Sequence, residues 1–134
     1  MTSSCMLFVY GTLMRNRRRH GLLVRPGVRF VGFGRIQARL YELPGRDYPA
    51  AVPSGSPREH VQGEVYSVTN AAPLLRLLDQ VEGCREGLFQ RQEVEVRFAG
   101  TSHKAWIYFF HQPLSAAKRI ASGRFGHTTS NHLG

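Results

Sequence analysis

Runs of apolar residues and stretches of strict alternation divide this chain into short elements. Met6 to Tyr10 (MLFVY) is continuously apolar and stops at Gly11 and Thr12, which predicts a buried first strand. Met14 to Val24 is helix-compatible, has Leu13, Leu22 and Leu23 available to a core, and stops at Pro26 and Gly27, which predicts a helix. Between Val28 and Leu43, Ile36, Ala38 and Leu40 alternate with Arg35, Gln37 and Arg39 as in a half-buried strand, with Gly32 and Gly34 marking a bend or bulge. Pro44 to Pro57 is rich in turn residues and reads as a loop with one extended piece, Tyr48 to Val52.

The second half repeats these signals. Val61 to Val68 predicts a strand, and Thr69 or Asn70 is placed to cap a helix with Pro73 in its first turn. Leu74, Leu75, Leu77, Leu78 and Val81 form its apolar stripe, and Gly83 ends it. Phe89 to Phe98 alternates with period two, Ala105 to Phe110 is apolar on both faces, and the turn at Gly100 and Thr101 makes them a hairpin. After Pro113 a short helical piece, Leu114 to Ile120, is expected, and SGRFGHTTSNHLG then lacks apolar periodicity. Five or six short strands, two helices and one long loop predict an α+β domain around a strongly curved sheet or small barrel. The 134 residues fit one domain, over 1–123, with 124–134 as a flexible tail, and leave no room for separate cofactor and substrate domains.

Charge adds an affinity for anions. The formal net charge is +9, carried by 16 Arg and only 2 Lys, with Arg15, Arg17, Arg18 and Arg19 clustered. Arginine reads phosphate and carboxylate bidentately, so nucleic acid and acidic proteins are the partners that charge alone suggests. No paired-aromatic RNP strand or zinc knuckle accompanies it, which argues against nucleic acid, and four charges in one segment also describe a plain solvated face. Two cysteines, Cys5 and Cys84, are too few for a disulfide scaffold and point to a reducing compartment. The opening apolar run is too short for a membrane span or a signal peptide, so a soluble cytoplasmic protein is expected.

Two features carry candidate chemistry. Glu82 lies four residues after Leu78 and seven after Leu75, on the same side of its helix as the apolar stripe. A carboxylate there is either a satisfied buried acid or a proton-transfer group. The negative end of the helix dipole and partial burial would both raise its pKa toward neutrality. The second feature is Tyr10, Gly11, Thr12 and Leu13, where a strand runs into a turn: backbone N–H groups there lack partners, and Gly11 allows an anion or carbonyl oxygen to approach. Other chemistry has less support. His111, His127 and His132 match no metal-ligand spacing, Cys84 lacks a recognisable His and acid partner, and Trp106 and Tyr108 read as core.

LFVYGTLM, YPAAVP, VQGEVYSV, LDQVEG and FQRQEVEV, in that order, resemble the gamma-glutamylcyclotransferase-like family, over Leu7 to about Gly123. RIASG (Arg119 to Gly123) resembles the segment after that family's last strand. The resemblance implies a small mixed β-barrel flanked by helices. It also implies a γ-glutamyl group held by the Tyr10 to Leu13 loop, with Glu82 of LDQVEG as the acid/base; Glu86 lies outside the motif. The chain departs from the family pattern at Asn16, Arg19 and Phe89, where many relatives have Gly, Asn and Tyr respectively, while His20 follows it.

The reaction implied is intramolecular. The α-amine of a γ-glutamyl amine or peptide attacks its own γ-carbonyl, giving 5-oxoproline and a free amine, and no metal or cofactor is needed. Two alternatives share the same barrel. One is a non-catalytic module binding an anion, RNA or acidic protein, and the other is a cyclotransferase whose substrate sits on an acidic carrier steered by Arg15 to Arg19.

Overall fold

A single long strand organises the molecule, and its alternating sequence explains why. In the computed structural model, which describes residues 4–126, β2 (Val28–Glu42) buries Ile36, Ala38 and Leu40 and turns Arg35, Gln37 and Arg39 to solvent. The other strands are β1 (Ser4–Val9), β3 (Pro49–Pro53), β4 (His60–Thr69), β5 (Phe89–Phe98), β6 (Thr101–Phe110) and β7 (Lys118–Arg119). Helical structure is limited to α1 (Ala72–Val81) and a 3-10 turn over His20–Leu23.

The strands run in the order β2, β4, β1, β6, β5, and β5 then pairs back onto β2, so five strands close into a barrel. It is mixed because β1 and β6 are parallel while the other neighbours are antiparallel. The far end of β2 carries β3 on one edge and β7 on the other. Closure depends on the two glycines. The β2–β4 register slips between Phe30 and Gly32, the bulge that bends the strand. At Gly34 a Cβ would lie 2.8 Å from Val96 Cγ2 and 2.9 Å from Val65 Cγ2, so a side chain there would hold the strands apart.

Two cores result. Phe8, Ile36, Leu40, Val61, Val65, Val96 and Ile107 fill the barrel. Leu7, Val9, Tyr66 and Tyr108 on its outer wall pack against Leu74, Leu75 and Leu78 of α1. β1 is therefore apolar on both faces, which accounts for its unbroken MLFV run. Among the described residues no helix is long and apolar enough to cross a membrane.

Three local expectations are corrected. Met14 to Val24 is not a helix but a chain of turns ending in the 3-10 segment. The Arg15 N–H is drawn 3.0 Å to Glu64 Oε1, the Arg19 N–H goes to Thr12 O, and Asn16 takes a left-handed φ of 66°, so the i to i−4 ladder cannot form. Neither Thr69 nor Asn70 caps α1. The Thr69 hydroxyl donates instead to Gly27 O at 3.0 Å, Asn70 is left-handed at 51°, and Ala71 takes the cap position without a side-chain bond. Leu114 to Ile120 is a turn followed by β7, broken by the left-handed Ala116. In the segment expected as a tail, Phe125 packs on the barrel and Arg124 Nε donates to Gln62 Oε1 at 2.9 Å. Residues 127–134 lie outside the described residues.

Candidate active site

The end of β1 and the end of α1 meet at one narrow cleft. Tyr10, Gly11, Thr12 and Leu13 form one side, Glu82 another, and Arg19, Pro49, Phe89 and Tyr108 complete the wall. The sequence-predicted residues are thus brought together, although 69 positions separate Leu13 from Glu82. The cavity holds about 30 Å³, space for a few ordered waters.

The loop leaves its backbone donors free. Its carbonyls are occupied: Gly11 O accepts from Met14 N at 3.1 Å and Thr12 O from Arg19 N at 2.8 Å. Leu13 O lies 2.9 Å from His20 Nδ1, a bond that places the imidazole proton on Nδ1. The N–H groups of Gly11, Thr12 and Leu13 have no protein acceptor among the described residues. Three consecutive amides without a protein acceptor, on a loop that lines the cleft, are donors available to an oxyanion or carboxylate. Gly11 is required by packing as well, because a Cβ would lie 2.9 Å from Pro49 Cδ.

Tyr10 serves the framework. Its hydroxyl donates to Tyr108 O at 2.6 Å and accepts from Ala51 N at 3.3 Å, tying β1 to β6 and β3. Burial pushes this hydroxyl far above its ordinary pKa, and the nearby charge of Glu82 pushes it further. It remains a neutral donor across the physiological range.

Glu82 is the C-cap of α1, its N–H bonded to Leu78 O at 2.8 Å, and Gly83 follows with a φ of 68° that releases the chain from the helix. None of the ion pairs among the described residues includes Glu82. Burial raises its carboxyl to about 7, against a smaller lowering by Arg19. A carboxyl of that pKa exchanges its proton readily near neutral pH, as a general base and acid must.

Three contributors were not evident from sequence. Tyr108, expected as core, is buried but also lines the cleft, and its hydroxyl donates to Asp79 Oδ1 at 2.7 Å. Asp79 also accepts from Arg91 Nε at 2.8 Å and from its Nη2 at 3.2 Å. The last turn of α1 is thereby fastened to β5 and β6 three residues before Glu82. Pro49 is the third, set against Gly11 by β3. Nothing in the apolar β6 run sets Tyr108 apart, and no local signal joins Asp79 to Arg91.

The remaining candidates lie elsewhere. Cys84 and His111 line a separate groove with Asp79 and Arg91, and burial followed by the charge of Asp79 raises the Cys84 thiol, opposite to what a nucleophile needs. Among the described residues no three His, Cys, Asp or Glu side chains are grouped to hold a metal ion. His127 and His132 lie outside those residues. Phe89 lines the cleft.

Comparison with known proteins accords with this geometry. The family model described as gamma-glutamyl cyclotransferase, AIG2-like, matches residues 7–127. Among solved structures, a mouse AIG2-like protein is 26% identical with a TM-score of 0.69, over 79% of this chain and 76% of that one. The Escherichia coli protein YtfP is 30% identical with a TM-score of 0.63, over 90% of this chain and 95% of that one. An uncharacterized Pyrococcus horikoshii protein is 27% identical with a TM-score of 0.66, over 92% and 91%. No curated protein sequence matches significantly. The chain belongs to the gamma-glutamyl cyclotransferase, AIG2-like family.

Proposed function

We propose that the protein is a cofactor-independent cyclotransferase that converts a γ-glutamyl amine or peptide into 5-oxoproline and a free amine. The observation that carries this reading is an unpaired, half-buried Glu82 poised near pH 7, across a narrow cleft from three unsatisfied backbone donors. Membership of the family supports it.

The substrate supplies its own nucleophile, so the protein has three tasks: to fold the glutamyl chain into a ring-closing shape, to take protons from the attacking nitrogen and supply one to the leaving nitrogen, and to stabilise one oxyanion. In its ionised form Glu82 takes a proton from the substrate α-ammonium. The freed amine nitrogen attacks the γ-carbonyl carbon, and the carbonyl oxygen gathers negative charge. The amides of Gly11, Thr12 and Leu13 can stabilise either that oxygen or the substrate α-carboxylate, and one oxyanion donor is worth roughly 3 kcal/mol of barrier. The attacking nitrogen, now bonded to the γ-carbon, still carries one proton too many. Having passed the first proton to solvent, Glu82 takes this second one and gives it to the leaving nitrogen as the tetrahedral carbon collapses. An amine then departs rather than an amide anion, and the ring nitrogen is left as the neutral lactam N–H. Glu82 ends ionised, ready for the next turn.

The test is 5-oxoproline release from a panel of γ-glutamyl amines and dipeptides, with wild type and Glu82→Gln side by side. Release by wild type and none above background by the variant is the expected result. Equal release by both would remove Glu82 from the chemistry, and no release by either would overturn the cyclotransferase reading.

A further inference from the structure

A second groove, of about 520 Å³, opens on the outer wall of the barrel and shares no residue with the Glu82 cleft. Phe33 and Phe125 line it with rings, and Gln62, Glu64 and Arg124 supply its polar groups. Phe33 is 67% exposed, yet its ring is held: Phe30 meets it edge-on at 5.4 Å, and the Arg15 guanidinium lies 5.2 Å from its centroid. Phe125 carries the Arg17 guanidinium at 5.0 Å in the same way. A ring braced by its neighbours and still open to solvent is a stacking surface for a second flat ring. The polar groups include both donors and an acceptor. Gln62 Oε1 accepts from Arg124 Nε at 2.9 Å, which leaves the Gln62 amide nitrogen and the other Arg124 guanidinium N–H groups without an acceptor among the described residues. Glu64 Oε1 receives two donors and Oε2 only one, so Oε2 retains a lone pair.

Beside the groove, the barrel seam places two like charges face to face. Arg35 of β2 is the register partner of Arg97 on β5 and, on its other side, of Gln62 on β4. Both arginines are exposed, and neither takes part in an ion pair among the described residues. Glu95, two residues before Arg97 on the same face of β5, has Lys104 as its register partner. Like charges directly opposite each other destabilise a sheet, and here they stand on the pairing that closes the barrel. Two guanidinium groups at one register position suit a single doubly charged anion, and a phosphate monoester presents oxygens to both. Arg35 follows Phe33 by two residues, so the two project from one face about 7 Å apart, a distance that a nucleoside spans between its base and its 5′-phosphate.

We infer that this groove binds a nucleoside monophosphate, its base against Phe33 and Phe125 and its phosphate between Arg35 and Arg97. The volume is that of a small-molecule site. The polar groups separate this ligand from other anions. A base edge offers donors and acceptors together, which match Gln62, Arg124 and Glu64, whereas an acidic peptide would bring its carboxylates toward that of Glu64. The site stands apart from the cyclotransferase reading, because it uses neither Glu82 nor the loop amides.

Isothermal titration calorimetry on the full chain tests this, with AMP, GMP, CMP and UMP as probes and the parent nucleosides, ribose 5-phosphate and a short oligoadenylate beside them. At least one monophosphate is expected to bind with a Kd on the order of 100 μM or tighter, and its nucleoside and ribose 5-phosphate about tenfold more weakly or worse. Phe33→Ala should weaken that nucleotide about tenfold and leave ribose 5-phosphate unchanged, whereas Arg35→Gln should weaken both. Arg35→Gln should also unfold at no lower a urea concentration than wild type, since it relieves the like-charge pair. No binding of any of the four nucleotides at millimolar concentration would overturn the inference. Ribose 5-phosphate binding as tightly as the nucleotides would overturn it in favour of a plain anion patch. Oligoadenylate binding far more tightly than AMP, with a steep salt dependence, would overturn it in favour of single-stranded nucleic acid. A lower unfolding midpoint in Arg35→Gln would show the charges already balanced within the protein, and would overturn it as well.

Discussion

Two glutamates have been taken out of water in this small barrel, and the protein treats them in opposite ways. Glu64, on β4, is only 6% exposed, and its carboxylate accepts from the Arg15 N–H, from Arg15 Nε and from the Tyr66 hydroxyl, at 3.0, 3.3 and 2.8 Å. Arg15 in turn lies 4.0 Å over the Phe30 ring. Glu82, at the end of α1, is half-buried, which is enough to raise its carboxyl to about 7, and has no such company. Burial with three donors yields a structural clasp that holds the 10–15 turn to the barrel wall. Burial with none yields a group whose ionised and neutral forms are nearly equal in free energy at neutral pH. The difference lies in the donors, not in the residue type.

Experiments can press on this contrast in order of size. The largest effect is expected at Glu82→Gln, where kcat should fall by on the order of a thousandfold while the circular dichroism spectrum is kept. A fall of less than tenfold would place the proton transfer elsewhere.

Next is the linkage between pH and stability. A carboxyl raised from 4.5 to about 7 on folding stabilises the folded state below its unfolded pKa, and that advantage is lost as pH rises through the folded value. Relative to Glu82→Gln, wild type should therefore lose up to about 3 kcal/mol between pH 4.5 and pH 8. Denaturant midpoints of the two proteins that stay parallel across that range would show that Glu82 is not desolvated.

Glu64→Gln should cost about 2 kcal/mol in urea unfolding, since the half-exposed Arg15 recovers some hydration when its partner is neutralised. The pH at which turnover is half-maximal should not move in that variant, and a shift would couple the two carboxylates. Smallest is Tyr66→Phe, which removes one of the three donors at a cost of about 1 kcal/mol. A loss as large as that of Glu64→Gln would mean that Tyr66 alone holds the clasp.

The comparison also shows what could be read along the chain. Elements whose partners are local or whose pattern repeats were legible: the alternation of β2 and β5, the apolar β6, the stripe of α1 and the glycine that ends it. Glu82 was legible because it broke that stripe. The turns after Leu13 were not, because what diverts the chain there is Glu64, some fifty positions later, and a helix-compatible composition cannot show where an N–H will be drawn. Arg19, Tyr108 and Pro49 join the cleft for a similar reason. Their placement follows from closing β5 onto β2 and laying β3 against the end of β1, which brings together residues with no mutual spacing in the sequence. The Thr69 cap failed because Gly27, far upstream, offered its hydroxyl a better acceptor.

The seam between β2 and β5 bears finally on how the chain finds its fold. It joins Gly34 to Phe98 and Arg35 to Arg97, so it cannot form until most of the polypeptide has been synthesised and the loop between those positions has been closed. The β5–β6 hairpin, held by a tight turn at Ala99 and Gly100, can assemble early by contrast. Sealing the barrel is then a late, high-contact-order event, and substitutions at Gly34 should slow refolding more than they speed unfolding if the seam is already paired in the rate-limiting state.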